Sequence, residues 1–331
     1  MKLSIVIAYH NEGKEFIQET IKSIKDTCDI QHEIIVVDDG SDQPLDLDEC
    51  NIMRHCKNKG VGAAFDSGVK MARSNNIFLM GADIRFTNNH WASKMVTEIE
   101  KNPDALICTS VVSLQTGFPE ITFEVARKHL RYDLFRGANI LFKIGGDDSP
   151  HHIIEAQWLP REFLPLRSPD YVAPTESYEV PCILGAAYGV SKKWYKHIDG
   201  FWGHKFWGTL EPLISIKSWM FGGRCLVAPH IETAHIFNDV GRHSNIYDYG
   251  LYKSYNRMLV CWLLLPVPLK NELIKWLPDL EYVNEAKKMI DDNMAEIIKK
   301  RNDYIEKRKM KFNVMTGKFA EINNKILKYV Y

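Results

Sequence analysis

The sequence lacks the features that mark several common protein classes. Its 331 residues carry 42 basic and 42 acidic side chains, so overall charge gives no reason to expect a dedicated nucleic-acid binder. The seven cysteines are scattered and never form a CxxC pair, which argues against a zinc ribbon or a disulfide scaffold and predicts reduced thiols. No basic region followed by an apolar stretch opens the chain, so no signal peptide is expected.

Long apolar segments are also missing. The most apolar stretch, residues 258–269, is a dozen residues interrupted by Pro266 and Pro268, whereas a membrane-spanning helix needs about 20. This stretch predicts a buried helix, with contact to a membrane surface as the alternative. Without a signal peptide or a spanning segment, we expect a cytoplasmic protein.

What the sequence does have is a regular alternation of strands and helices over its first 112 residues. Short apolar runs predict strands at 3–8, 33–37, 52–54, 77–80 and 105–112, and helical spacing predicts helices at 15–25, 62–74 and 90–101. Strands that are apolar throughout imply a parallel sheet covered on both faces. Polar residues follow three of the strands, at 10–12, at Asp38 and Asp39, and at Asp83. Because ligands bind at the carboxyl ends of such strands, these residues predict a site.

Beyond residue 112 the pattern weakens. Prolines and aromatic residues between 113 and 181 predict an elaborated loop region over the active face. Within it, residues 147–148 (DD) and 151–152 (HH) have the composition of metal ligands, although a solvated loop is favoured. From about residue 273 the chain is helical and charged, with seven Lys or Arg against two acids between 299 and 311. That run predicts a solvated helix face, or contact with an anionic partner.

Four short motifs, in the right order, resemble those of the family 2 glycosyltransferases. Residues 4–12 (SIVIAYHNE) resemble their opening SIVIPxYNE, residues 37–41 match their VDDGS, and residues 58–64 (NKGVGAA) resemble their NxGxxxA helix start. Residues 78–83 (FLMGAD) stand where the family has FLDAD, its DxD motif. The resemblance implies the GT-A fold, an α/β fold with a mostly parallel central sheet flanked by helices, here with a helical C-terminal extension. It also implies transfer of a sugar from a nucleoside diphosphate donor.

The second half resembles the polypeptide N-acetylgalactosaminyltransferases. Residues 184–194 (LGAAYGVSKKW) are similar to their GGLFAIDRKYF, and residues 233–237 (TAHIF) match the end of their VPCSRVGHVF. The implied organisation is a nucleotide-sugar-binding half at 1–112, an acceptor-binding half at 113–270 in the same domain, with the loop region at 113–181, and a helical basic extension at 271–331.

The resemblance also implies roles for individual residues. The residues matching donor-binding positions are Ala8, Tyr9, Asn11, Glu12, Asp39, Lys59, Gly60, Gly81, Ala82, Gly185 and Trp207. Asp39 would accept a hydrogen bond from the base or ribose, while Asp38 is expected to be a turn residue. Asp83 matches the last acid of DxD and His235 the metal-binding histidine, so together they would hold Mn²⁺ or Mg²⁺ against the donor diphosphate. Gly81 replaces the first acid of DxD.

Glu211 is the predicted general base. A gapless comparison of residues 207–211 (WGTLE) with the WGxED of the family places Leu210 on the glutamate and Glu211 on the aspartate that deprotonates the acceptor. In the N-acetylgalactosaminyltransferases this position is Asn and the sugar keeps its configuration. A carboxylate therefore favours inversion, because an acceptor hydroxyl attacking in line must lose its proton. Trp207, Trp202 and Tyr188 are candidates to stack on a sugar, or else core aromatic residues. Arg242 and His243, after Gly241, would reach the diphosphate from a lid.

Other functions remain open at this point. A nucleotidyltransferase would carry a GxGxR-type loop, which residues 8–13 lack. A homologue that binds a nucleotide sugar without turning it over would explain why Gly81 and Leu210 replace family acids. UDP is the favoured nucleotide. The acceptor is expected to be a saccharide, a peptide or a lipid-linked glycan, with a hydroxymethylated base in DNA as an alternative.

Overall fold

The computed structural model describes residues 1–86, 88–115, 134–142, 154–159, 175–237 and 246–328. The strands in these ranges are β1 (Leu3–Tyr9), β2 (His32–Asp38), β3 (Asn51–Arg54), β4 (Asn76–Gly81), β5 (Ile84–Phe86), β6 (Ala105–Gln115), β7 (Leu134–Phe135), β8 (Ala138–Phe142), β9 (Ile154–Trp158), β10 (Tyr178–Glu179), β11 (Ala187–Ser191) and β12 (Arg224–Phe237). The helices are α1 (Lys14–Thr27), α2 (Val61–Met71), α3 (Trp91–Lys101), α4 (Lys192–His197), α5 (Leu210–Met220), α6 (Ile246–Leu264), α7 (Val267–Lys275), α8 (Glu281–Asp292), α9 (Met294–Lys307) and α10 (Phe312–Lys328).

A central sheet runs through the protein in the order β10-β12-β6-β11-β4-β1-β2-β3. β1 pairs in parallel with β2 and with β4, and β2 pairs in parallel with β3. Every residue of β1 is buried, as a parallel strand covered on both faces requires. α1 contributes a buried stripe of Ile17, Ile21 and Ile24 at helical spacing. The predicted α/β class and the predicted strands and helices of the first 112 residues are confirmed, with bounds shifted by a few residues.

The middle of the sheet contains one strand of opposite direction. β11 lies between β4 and β6 and is antiparallel to both, while β12 runs parallel to β6 along most of its length. As a result β1, β4, β6 and β12 all point the same way. The short β5, which follows β4, pairs with the end of β12. The carboxyl ends of β1 and β4 and the last residues of β12 therefore lie at one edge of the sheet.

The C-terminal helices pack onto this domain. Residues 258–264 of the apolar stretch form the end of α6, where Leu259, Val260 and Cys261 are fully buried, so the predicted buried helix is confirmed for this part. Residues 267–269 begin α7, where Val267 is exposed. In the described ranges no helix combines the length and apolar character needed to span a bilayer, and the expected cytoplasmic location stays a prediction. Two cations of the basic run are structural: Lys300 pairs with Asp199 at 3.0 Å, and Arg301 donates to the Trp262 and Leu265 carbonyls.

Candidate functional site

Hydrogen bonds within the loop after β1, and one to the loop after β2, fix its conformation. Glu12 accepts from the His10 amide at 2.5 Å, and the Tyr9 hydroxyl accepts from the Gly13 amide at 3.2 Å. Asn11 has a left-handed backbone (φ 61°) and its amide donates to the Ser41 hydroxyl at 3.0 Å. Ala8 is buried at the end of β1. The predicted donor residues of this segment are thus held against the loop that follows β2.

Asp38 has the turn role that the sequence predicts. Its carboxylate accepts from the Ser41 amide at 2.9 Å and from the Leu45 amide at 3.2 Å, and it also pairs with Arg54. Burial opposes ionisation, but the hydrogen bonds from Ser41, Leu45 and Arg54 hold the pKa of Asp38 below its ordinary value. Asp38 therefore organises the loop at the end of β2.

Asp39 is buried, and both its oxygens have partners within the chain. One oxygen accepts from His55 Nδ1 at 2.6 Å and from the Lys59 amide at 3.0 Å; the other accepts from the Gly60 amide at 2.6 Å. The role visible in this structure is to hold the loop at 58–60 against β2. Its contact with a nucleotide stays a prediction, as do those of Lys59 and Gly60.

Gly60 lies where the first half of the chain meets the second. It forms a β-bridge with Phe206, and a Cβ added to Gly60 would lie 2.2 Å from the Phe206 nitrogen. Its φ of 96° is a conformation that only glycine adopts easily. The donor-side loop at 58–60 therefore packs directly on Phe206.

The two predicted metal ligands are brought together. Asp83 follows β4 and His235 lies near the end of β12, yet Asp83 Oδ2 and His235 Nε2 are 3.0 Å apart. The β5–β12 pairing causes this, since His235 lies opposite Ile84. The ring of Trp158 packs edge-on against His235 at 6.1 Å. A carboxylate and an imidazole thus converge at the edge of the sheet where strand polarity predicts a site.

This pair fits a divalent cation that completes its coordination elsewhere. The ranges described hold no cluster of three or more His, Cys, Asp or Glu side chains suited to a metal. Mg²⁺ and similar hard ions are commonly bound by one or two carboxylates together with substrate phosphates and water. Gly81 shapes the pair, because a Cβ at Gly81 would lie 2.3 Å from Asp83 Oδ1. Ala82, between Gly81 and Asp83 in the sequence, is buried, and its carbonyl accepts a hydrogen bond from the Thr20 hydroxyl.

Glu211 lies in the first turn of α5, and its carboxyl group packs on Gly185. A Cβ at Gly185 would lie 2.5 Å from Glu211 Oε1, and the Gly185 backbone donates a hydrogen bond to the carboxylate. Burial raises the pKa of Glu211, opposed by the Gly185 hydrogen bond and by the charge of Lys253. The next residue, Ala186, accepts from the Gly81 amide at 3.3 Å. Glu211 and Gly81, two residues before Asp83, therefore both contact the segment at 185–186.

Of the three aromatic candidates, Trp207 presents a large surface. It is 46% exposed, and its ring stacks on Tyr249 with centroids 5.2 Å apart. Tyr188 is 1% exposed and packs edge-on against Phe65, so it is a core aromatic residue. Trp202 is partly buried beneath the Lys300 ammonium.

Sequence patterns missed the contribution of α6. Tyr249 supports Trp207, and one turn later Lys253 donates to the Tyr249 hydroxyl at 3.2 Å. Burial, together with the nearby charge of Arg257, lowers the pKa of Lys253 to about 8. The spacing of Tyr249, Lys253 and Arg257, four residues apart, was the available signal, since it places them on one helix face. The predicted lid residues Gly241, Arg242 and His243 lie outside the described residues.

Two further predictions fall mainly outside the described ranges. Asp147, Asp148, His151 and His152 are not among the described residues, and the loop region at 113–181 is described only at 113–115, 134–142, 154–159 and 175–181.

Comparisons with known proteins agree with the motifs. Residues 4–154 match the sequence model of Glycosyl transferase family 2. Polypeptide N-acetylgalactosaminyltransferase 8 of Drosophila melanogaster is 23% identical over 281 residues, covering 79% of this chain and 43% of that protein. Human polypeptide N-acetylgalactosaminyltransferase 14 is 23% identical over 263 residues, covering 76% of this chain and 43% of that protein. The chain thus spans less than half the length of these relatives.

A solved structure shows the same fold. The crystal structure of GalNAc-T7 with UDP, GalNAc and Mn²⁺ superposes with a TM-score of 0.55 at 17% identity, covering 89% of this chain and 57% of that chain. The predicted resemblance to the family 2 glycosyltransferases is therefore confirmed, and so is the GT-A fold with its helical C-terminal region.

Proposed function

We propose that this chain is a glycosyltransferase that moves a sugar from a nucleoside diphosphate donor to an acceptor hydroxyl. The observation that carries the proposal is the contact between Asp83 and His235, two residues far apart in sequence that were each predicted as metal ligands. The family match over residues 4–154 and the N-acetylgalactosaminyltransferase relatives support the same reaction class. UDP is the favoured nucleotide, as in the GalNAc-T7 structure solved with UDP.

Asp83 and His235 are the residues that would hold Mn²⁺ or Mg²⁺. When bound, such an ion would neutralise charge that develops on the diphosphate leaving group. Gly81 leaves the space in which the Asp83 carboxylate lies beside His235. The loops after β1, β2 and β3, with Asn11, Glu12, Asp39, Lys59 and Gly60, would bind the nucleotide portion, since they follow the carboxyl ends of neighbouring parallel strands.

Glu211 is proposed as the general base. Its carboxylate would take the proton from the acceptor hydroxyl as that oxygen attacks the anomeric carbon, and the product would carry inverted configuration. Burial raises the pKa of Glu211, which makes it a stronger base than an ordinary carboxylate. Trp207, stacked on Tyr249, offers an exposed ring face on which a sugar can pack.

The acceptor is proposed to be a peptide, a saccharide or a lipid-linked glycan. The relatives are named for polypeptide acceptors, and no comparison supports a DNA acceptor. The proposed organisation keeps donor binding at 1–112, acceptor binding at 113–270 and a helical extension at 271–331.

A screen of nucleotide sugars tests this function. UDP-, GDP- and TDP-sugars are each mixed with the protein with and without Mn²⁺, and both the melting temperature and the release of nucleoside diphosphate are measured. We expect one nucleotide class to raise the melting temperature and to be hydrolysed only with the metal. A rise in melting temperature without turnover would instead identify a nucleotide-sugar-binding homologue. The absence of both effects for every donor would refute the proposal.

A further inference from the structure

Residues 203–209 form a turn with an unusual backbone, which we name the 203–209 turn. Phe206 and Thr209 have φ values of 52° and 64°, in the left-handed region that side chains other than glycine rarely adopt. Gly203 and Gly208 also have positive φ. Such conformations persist only where the surrounding structure holds them in place. Something must therefore fix this turn.

Asn256 of α6 provides that support. It is 1% exposed, and both ends of its amide face the turn. Its Oδ1 accepts from the Lys205 amide at 3.0 Å, while its Nδ2 donates to the carbonyls of Lys205 at 2.7 Å, Trp207 at 3.1 Å and Gly208 at 3.1 Å. The opposite amide orientation would turn its oxygen toward three carbonyl oxygens, so the donor and acceptor assignment is unambiguous. One buried side chain thus contacts three residues of the turn.

The 203–209 turn connects the donor-side loop with Trp207 and with the helix that carries Glu211. The Phe206 carbonyl accepts from the Val61 amide at 3.0 Å, and the Phe206 amide donates to the Lys59 carbonyl at 3.4 Å, which ties the turn to the donor-side loop. On the other side, Trp207 carries the exposed ring and α5, with Glu211 in its first turn, begins directly after Thr209.

We infer that Asn256 is a positioning residue for the transfer reaction: by holding the 203–209 turn it places Trp207 and Glu211 relative to the donor-side loop. This inference rests on the proposed function. Asn256 is required as an amide because its contacts need donors and an acceptor on one planar group. An apolar residue of similar size would remove the Asn256 partner of the Lys205 amide and of the Lys205 and Trp207 carbonyls. The Gly208 carbonyl would keep its contact with His204 Nε2 at 2.8 Å.

The test uses Asn256→Asp and Asn256→Ala in the full chain. The aspartate keeps the shape and the acceptor but loses the two N–H donors, and it places a carboxylate against the carbonyls of the turn. Hydrogen exchange measured by mass spectrometry should show faster exchange in peptides covering 203–209, with the central strands protected as in wild type. With UDP-GalNAc or UDP-glucose and Mn²⁺, kcat for donor hydrolysis should fall by about 10–10²-fold, the loss typical of a displaced catalytic group, with a smaller change in donor KM.

Asn102→Asp is the matched control. The Asn102 amide donates to the Glu98 carbonyl at 3.0 Å at the end of α3, on the opposite edge of the sheet. Asn102→Asp should change hydrogen exchange only near the end of α3, and kcat for donor hydrolysis should stay at the wild-type value. If the Asn256 variants fail to fold, Tyr252→Leu loosens the same turn by removing a ring stacked on Phe206 at 4.2 Å, and the same changes, smaller in size, are expected.

The outcomes separate the inference from the function. Unchanged exchange at 203–209 in the Asn256 variants, or faster exchange with wild-type kcat, would overturn the inference. An inactive wild type would remove the proposed function, while faster or unchanged exchange at 203–209 in the variants would still decide whether Asn256 holds the turn.

Discussion

Replacing Glu211 with Gln is the sharpest test of the proposed chemistry. Gln keeps the size of the side chain and an oxygen that can accept from the Gly185 backbone, so the fold of the 185–186 segment should be preserved. It removes the negative charge and, with it, the ability to take a proton. A positioned general base contributes about 10²–10⁴-fold in rate, so kcat for transfer should fall by that order while the Kd for the nucleotide sugar is nearly unchanged.

The pH dependence of the same variant gives an independent readout. Burial raises the pKa of Glu211 above its ordinary 4.5, so the wild-type rate should fall as pH drops through that raised value, and Glu211→Gln should lack this acidic limb. The effect on stability has the opposite sign. Between 4.5 and the raised pKa the folded protein binds the proton more tightly than the unfolded chain, so the wild type loses stability as pH rises through this window.

At pH values above the raised pKa the glutamine variant should therefore be at least as thermostable as the wild type, although it is far less active. Glu281→Gln, an exposed acid in the first turn of α8, is the matched control and should change neither property. Wild-type turnover in Glu211→Gln would refute the assignment. NMR of the product anomer tests the stereochemistry separately, and retention would contradict the inverting mechanism.

The metal site and two crowded positions give further tests. Asp83→Asn and His235→Gln should each remove the rise in melting temperature caused by Mn²⁺ in the presence of donor, whereas His230→Gln, earlier in β12, should keep it; a retained shift in both site variants would contradict the metal site. Gly81→Ala should lower Mn²⁺-dependent release of nucleoside diphosphate, because the added Cβ would lie 2.3 Å from Asp83 Oδ1. A wild-type rate in this variant would show that catalysis does not require the present position of the Asp83 carboxylate. Burial lowers the pKa of Lys217 to about 8, so between pH 8 and its ordinary 10.5 the unfolded chain binds more protons than the folded protein. The free energy of unfolding of the wild type, measured in urea, should therefore rise with pH in this range relative to that of Lys217→Met. Parallel pH dependence of the two free energies would contradict the lowered pKa.

The parts of the site that could be predicted from sequence are those encoded locally. The strand ends at β1, β2 and β4 follow from short apolar runs closed by polar residues, and the turn role of Asp38 follows from the preference of aspartate for binding backbone amides a few residues on. The pairing of Asp83 with His235 was reached through motif resemblance. Periodicity alone has no information on it, because the contact depends on β5 meeting the end of β12.

The parts that could not be predicted depend on contacts between distant segments. His55 binds Asp39, yet nothing in the spacing of these residues marks the pair. Asn256 lies just before the apolar second half of α6, and the sequence pattern of this helix predicts only burial. The role of Asn256 depends on where the 203–209 turn lies. A hydrogen bond between distant residues leaves no periodic signal in the sequence, so such contacts appear only once the fold is known.

The glycine at position 81 illustrates how the structure changes the meaning of a sequence difference. By sequence, Gly81 removes an acid and supports the alternative of a homologue that binds a nucleotide sugar without turning it over. In the structure, the space that a side chain at 81 would need is occupied by the Asp83 carboxylate, which lies 3.0 Å from His235. Gly185 likewise leaves room for the Glu211 carboxylate. A side chain at position 81 would require Asp83 Oδ1 to shift from its present place. The glycine is therefore compatible with a metal site formed by Asp83 and His235 and is not by itself a sign of lost catalysis.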